Sequence, residues 1–344
     1  MKKSNQMNRR QFVATSLAAT AGLATGINAL SLGDQNKKSD IKVGLYSITF
    51  LGVWYRGAAL SLEDVIKRAK ECGYSGIEID GKRPHGNPLD WPAQRCKELR
   101  KVADGTGIEI YGVAGNNDFS SPIPEHRECQ ILYVKNLIKM TSDLGAKTLR
   151  MFMGWTGITL HPQLAQYDIA KDIWNYTHAK FTEEETWSWV REGLKECSKY
   201  AADAGVILAL QNHKPVVKDY TDVLRMVKEV GSPNLKVSLD VPIMDDKSPE
   251  NIRKAALATG SLQVLSHFGG EYERGADGKV IGQDFYRPFI QSMHEIGYSG
   301  YMSYELCHPL PVVNGQTVGI EFADKNAKLA AEFMNGIIAG VAKS

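Results

Sequence analysis

The chain has 344 residues, 43% of them hydrophobic, which is enough to bury a large core. Lys and Arg number 41 against 39 Asp and Glu, a formal net charge of +2, so the basic surplus that a nucleic-acid partner draws is missing and no such partner is expected. The five cysteines (Cys72, Cys96, Cys129, Cys197 and Cys307) are odd in number, widely spaced and without a C-x-x-C pair, which argues against a disulfide framework and a thiolate zinc site.

Residues 1–32 read as an export signal rather than as part of the fold. Lys2, Lys3, Arg9 and Arg10 make a basic start, and a mildly apolar, alanine-rich run follows from Phe12 to about Leu32. Thr15, Ser16, Thr20, Gly22, Thr25, Gly26 and Asn28 interrupt that run, so it makes a poor membrane anchor. Asn8-Arg9-Arg10-Gln11-Phe12 resembles the core of a twin-arginine signal, which carries a folded protein out of the cytoplasm and implies a periplasmic location. Residues 33–40 read as a polar linker, and 41–344 as the folded domain.

From Ile41 the chain alternates strand-like and helix-like runs. Strands are expected over Lys42–Ile48, Gly76–Asp80, Ile108–Ala114, Thr148–Met153, Val206–Asn212, Leu235–Asp240, Leu262–Phe268 and Gly300–Leu306. Helices are expected over about 61–72, 92–104, 125–144, 182–204, 217–229, 249–259, 284–296 and 320–341. Eight strand–helix units imply an α/β fold with a parallel sheet, most naturally closed into a (β/α)8 barrel. The helix-to-strand joints are short and glycine-marked, as in Cys72-Gly73-Tyr74-Ser75-Gly76, whereas the segments 154–181, 269–283 and 307–319 after strands are long. Long segments at strand C-termini are where barrel enzymes build their sites. A doubly wound open sheet is the alternative, but no G-x-G-x-x-G follows the first strand.

Four polar residues end the last four strands: Gln211, Asp240, His267 and Glu305. Strand side chains alternate between faces, so Gln211 shares a face with Ala209 and His213, Asp240 with Ser238, and Glu305 with Ser303. The opposite face carries Leu208, Leu210, Val237 and Leu239, suited to packing under helices. The four polar groups are therefore expected to converge in the barrel mouth and to hold one divalent ion. Oxygen donors with a single imidazole suit Mn²⁺ first, with Mg²⁺ and Co²⁺ close behind; Zn²⁺ would more often recruit further His or Cys.

Residues 42–341 resemble the xylose isomerase-like TIM-barrel family of sugar isomerases and epimerases. The resemblance lies in Leu-Gln-Asn-His (210–213), Leu-Asp-Val-Pro (239–242), Ser-His-Phe-Gly-Gly (266–270) and Tyr-Glu-Leu-Cys-His-Pro (304–309). It implies metal ligation by Glu, Asp, His and Glu from successive strands. Asp240, His267 and Glu305 match; Gln211 stands where the family usually has Glu. One fewer carboxylate predicts weaker metal binding by a stronger Lewis acid. It also counts against a two-glutamate epimerisation, since Gln211 takes no proton. His213, two residues on, is the substitute base, and a second-layer role is its alternative.

Glu78, Asn116, Arg150, Trp155, Glu271, Arg274 and His308 are the remaining candidates, as substrate contacts. Trp155, His161, Tyr167, Trp174, Tyr176 and His178 make the segment after the fourth strand a candidate carbohydrate lid. The expected chemistry is metal-assisted proton transfer next to a carbonyl of a small sugar or glycoside, with Glu305 or His213 moving the proton. A lyase removing the aglycone from a 3-keto-glycoside needs only one base and is the second reading. A non-catalytic exported sugar-binding protein is the third. A homo-oligomer is compatible with all three.

Overall fold

A computed structural model describes residues 39–160 and 164–343. Eight strands form a closed parallel barrel: β1 Lys42–Tyr46, β2 Gly76–Asp80, β3 Glu109–Ala114, β4 Thr148–Met151, β5 Ile207–Gln211, β6 Leu235–Ser238, β7 Gln263–Gly269 and β8 Tyr301–Glu305. Closure comes from β1 pairing with β8, Lys42 opposite Tyr301 and Leu45 opposite Tyr304. The expected (β/α)8 barrel is the observed fold, with element ends shifted by only a few residues.

The outer helices form where an apolar stripe meets a cap. In α1 (Leu62–Cys72), Ser61 accepts from the Asp64 amide at the start, Val65, Ile66 and Ala69 face the sheet, and Gly73 ends the helix at φ 87°. Further on, α2 covers Ala93–Thr106 and α3 Pro124–Asp143. The long helix Glu183–Ala204 opens on a capping box between Thr182 and Glu185. Tyr220–Val230, Pro249–Thr259, Tyr286–Glu295 and Ile320–Val341 complete the outer ring.

Inside the barrel the floor is aromatic. Tyr111 stacks on Tyr301 with centroids 3.7 Å apart, beside Ala209 and Leu265. Gly44 on β1 leaves room for the Tyr111 ring, which a Cβ there would strike. The aromatic floor closes the N-terminal half of the interior, so an opening for a ligand lies at the C-terminal mouth.

The three long segments after strands are more structured than expected. The segment 154–181 holds a hairpin (Thr159–Leu160 with Ala165–Gln166) and a helix, Asp168–His178. Hairpins also occur at Glu273–Arg274 with Val280–Ile281, and at Val312–Val313 with Gln316–Thr317. The helix Asp168–His178 buries Ala170 and His178 and leaves Ile169, Ile173 and Tyr176 exposed. Among the described residues no helix is long and apolar enough to cross a membrane, and all five cysteines are free. The expected signal 1–32, linker residues 33–38 and His161 lie outside the described residues.

Candidate active site

Asp240 is the hub of the mouth. It lies two residues beyond β6, and Asn212 fixes its backbone from the neighbouring strand end. Asn212 Oδ1 accepts from the Asp240 amide at 2.7 Å, and its Nδ2 donates to the Asp240 carbonyl at 3.1 Å. The carboxylate does not cap the short turn Val241–Ile243 that it precedes. Its Oδ1 accepts from the His267 amide at 2.8 Å and the Ser238 hydroxyl at 3.3 Å. Its Oδ2 lies 2.9 Å from His267 Nδ1 and accepts from Gln211 Nε2.

His267 is fully buried between two carboxylates, Asp240 at Nδ1 and Glu78 Oε2 at 2.7 Å from Nε2. Burial alone would lower its pKa, but Glu78 and Asp240 outweigh it and hold the imidazole well above its ordinary value. The imidazole is therefore held in its charged form, with one carboxylate facing each ring nitrogen. Glu305 ends β8 opposite Gly269. Burial raises its pKa; His267 and Arg150 oppose the rise, while Asp240 and Glu78 add to it. The Cys307 thiol hydrogen-bonds to Glu305.

The donor chemistry fits a divalent ion. Asp240 Oδ2 and His267 Nδ1 are 2.9 Å apart, and Gln211 Nε2 is 3.5 Å from Nδ1. Neighbouring ligands of an octahedral ion with bonds of about 2.1 Å lie about 3 Å apart. As the side chains stand, no three His, Cys, Asp or Glu among the described residues form a ready-made ligand set. Gln211 presents its amide nitrogen, not its oxygen, to Asp240.

A second polar group fills the other half of the mouth. Arg150 Nη2 donates to the Tyr46 hydroxyl at 2.9 Å, and Tyr46 donates to Asp80 Oδ2 at 2.7 Å. Asn116 Nδ2 and the Lys82 amide both donate to Asp80 Oδ1 at 3.0 Å. The Arg150 guanidinium lies 4.3 Å from the Phe152 ring centre and 5.4 Å from that of Tyr46. Desolvation would lower its pKa, but Tyr46, Glu78, Glu305 and Asp80 hold it raised, so it stays charged. Arg150 Nε and Glu78 Oε1 are buried without a hydrogen-bond partner.

An aromatic wall borders this group. Phe152 stacks on Trp155 at 4.9 Å, Tyr167 stands edge-on to Trp155 at 6.1 Å, and Trp54 lies 5.0 Å from Tyr167. His213 packs edge-on to Phe152 and Trp155 at 4.9 and 5.0 Å. Burial, helped by Arg150, pushes its pKa down to about 4. Its Nδ1 faces the Lys214 carbonyl, an acceptor, so the ring proton sits there and Nε2 carries the lone pair.

The expected site residues thus divide. Gln211, Asp240, His267 and Glu305 share one end of the barrel, with Arg150, Asn116, Trp155 and His213 around them. Glu78 has no exposed surface and meets His267 Nε2 at 2.7 Å. Glu271 and His308 face each other at the rim, 3.3 Å apart. Arg274 is not brought to the group: on its exposed hairpin it pairs with Glu332 of the last helix at 2.6 Å and donates to the Gly278 carbonyl. The lid residues separate too. Trp155 and Tyr167 reach the mouth; Trp174 donates to Ser120 Oγ, His178 stacks on Trp174 at 3.9 Å, and Tyr176 points to solvent. Sequence reasoning missed Tyr46 and Asn212. The signal for Tyr46 was its place at the C-terminal end of β1, and that for Asn212 its position between two singled-out neighbours.

The model of the family described as xylose isomerase-like TIM barrel matches residues 66–335, and the chain belongs to that family. Fructoselysine 3-epimerase of Escherichia coli O157:H7 is 26% identical over 267 residues, covering 72% of this chain and 86% of that protein; its Shigella flexneri counterpart matches equally. Among solved structures, D-psicose 3-epimerase with D-fructose superposes with a TM-score of 0.65 at 17% identity, covering 87% of this chain and all (100%) of that one. The apo 3-keto-D-glucoside 4-epimerase of E. coli gives 0.59 at 16% identity, covering 89% and 100%. At these identities the likeness to the solved structures is one of fold.

Proposed function

We propose that this member of the family is a divalent-metal-dependent sugar isomerase or epimerase that transfers a proton on the carbon next to a carbonyl of a sugar or keto-sugar. The observation that carries it is the Asp240–His267 pair with Gln211 and Glu305, four strand ends meeting at one barrel mouth. The curated relatives, named as epimerases of fructoselysine, support the reaction class. Asp240, His267, Glu305 and the Gln211 amide oxygen would hold the ion, Mn²⁺ before Mg²⁺, Co²⁺ or Zn²⁺. Bound there, the ion supplies positive charge that polarises the substrate carbonyl.

The chain's own groups do the rest. Glu305, whose carboxylate is made more basic by burial, is the group suited to take and return the proton. His213, neutral and with Nε2 as acceptor, stands where a second base is needed once Gln211 has replaced a carboxylate. Arg150 Nε is a buried donor suited to a substrate oxygen, and Trp155 with Phe152 offers flat faces to the apolar side of a sugar ring. Incubation with a panel of ketoses in heavy water with Mn²⁺ tests this. Solvent deuterium should enter the carbon next to the carbonyl, and Glu305→Gln should stop it. Absence of exchange with every sugar would oppose the proposal.

Gln211 favours one second reading. With one carboxylate base fewer, elimination of the aglycone from a 3-keto-glycoside asks less of the site than a two-base epimerisation. Aglycone release without epimer formation would select it. Export through the twin-arginine-like segment to the periplasm accompanies either reading.

A further inference from the structure

We infer that Glu78 is a positioning residue that fixes which nitrogen of His267 faces Asp240 and Gln211 as a ligand. This rests on the reading that Asp240 and His267 hold a divalent ion. An imidazole gives a metal one lone pair, and its other nitrogen must then carry a proton. Glu78 Oε2, 2.7 Å from Nε2, is an acceptor and assigns that proton to Nε2. Nδ1, which faces Asp240 Oδ2 at 2.9 Å, is then the nitrogen that gives up its proton when a cation binds.

The carboxylate is itself held. Ser303 donates its hydroxyl to the same Oε2 at 2.9 Å, and Tyr111 donates to Ser303 Oγ at 2.6 Å. Because Glu78 only accepts, Ser303 must donate to it and accept from Tyr111, so every proton in the chain has one place. The chain crosses β3, β8, β2 and β7, and all four side chains are buried. Glu78 Oε1 has no partner, so the orientation of the carboxylate comes through Oε2 alone. With no surface exposed and His267 in front of it, Glu78 acts through the imidazole rather than on substrate. Acceptors placed behind a ligating histidine typically contribute about 10- to 100-fold in metal affinity.

Calorimetric titration of the metal-free full chain with Mn²⁺ tests this in the wild type, Glu78→Gln and Glu78→Leu. Leucine fills the space without accepting; glutamine keeps an acceptor oxygen without the charge. Glu78→Leu should weaken Mn²⁺ binding about 10- to 100-fold, while Glu78→Gln stays close to wild type. Wild-type affinity in Glu78→Leu, or a Glu78→Gln protein as weak as Glu78→Leu, would overturn the assignment. Nitrogen-15 spectra of the histidine rings in the metal-free proteins give an independent readout. The wild type and Glu78→Gln should show a strongly hydrogen-bonded proton on His267 Nε2, absent in Glu78→Leu; the same signal in Glu78→Leu would overturn the inference. A wild-type chain that binds no Mn²⁺ would remove the metal reading, and the ring spectra would still decide the role of Glu78.

Discussion

Gln211 donates its side-chain amide to the Asp240 carboxylate across the ends of β5 and β6. A glutamate at this position would set two carboxylates side by side, a pair that a metal cation or a shared proton would have to hold together. The amide instead satisfies Asp240 without an ion. Metal affinity and metal-free stability are thus set against each other at a single residue.

Gln211→Glu should therefore tighten Mn²⁺ binding and destabilise the metal-free protein by roughly 1–3 kcal/mol, the cost of exchanging a buried hydrogen bond for like-charge repulsion. Calorimetry and urea unfolding with and without Mn²⁺ check the two halves. Unchanged affinity would take Gln211 out of the ligand set.

His213 has its pKa pushed down to about 4, chiefly by burial. The sign is that of a base: its neutral, competent form dominates above that value and is lost as pH falls through it. If His213 moves the proton, its contribution to the rate is constant from pH 5 to 8 and falls in more acidic solution. Replacement by glutamine should lower kcat by about 10²- to 10⁴-fold. A pH–rate profile of both proteins tests this; a wild-type break near pH 6.5 assigned to His213 would contradict it.

Tyr46→Phe removes the hydroxyl that links Arg150 to Asp80. Both partners are buried, so each loses a hydrogen bond that water does not replace, and the expected loss is roughly 1–3 kcal/mol by urea unfolding. A neutral result would mean that Lys82 and Asn116 hold Asp80 unaided.

Away from the mouth, Glu229 is pulled down to a pKa of about 2, first by the Trp187 indole and then by Arg225 and Arg191. A lowered carboxylate pKa gives stability that is fully present above the unfolded value near 4.5 and is lost as pH falls through about 2. Glu229→Gln should lower Tm at pH 7, and the gap should close below pH 2. An equal gap at both pH values would show packing rather than charge.

The barrel was legible because strand-length apolar runs such as Val206–Leu210 alternate eight times with helical runs, most of which end at or beside a glycine. Gln211, Asp240, His267 and Glu305 stood out through shared position at strand ends. What stayed hidden depends on which side chains meet across the barrel. Glu78 faces His267, 189 residues away, and no local pattern marks that contact or separates it from a substrate residue. Arg274 lies in a long segment after a strand, which made it a substrate candidate, but its hairpin lies against the last helix, where Glu332 takes it. The helix Asp168–His178 stayed hidden inside a long segment whose aromatic residues invite a lid reading.

Titration of the metal-free chain with Mn²⁺, read by thermal melting and by solvent deuterium uptake into a ketose, tests the Asp240–His267 metal centre most directly. One ion should bind per chain, and Tm and exchange should rise together, with both responses lost in His267→Ala. Exchange that proceeds at full rate without a bound ion, or a chain that takes up no ion at all, would contradict it.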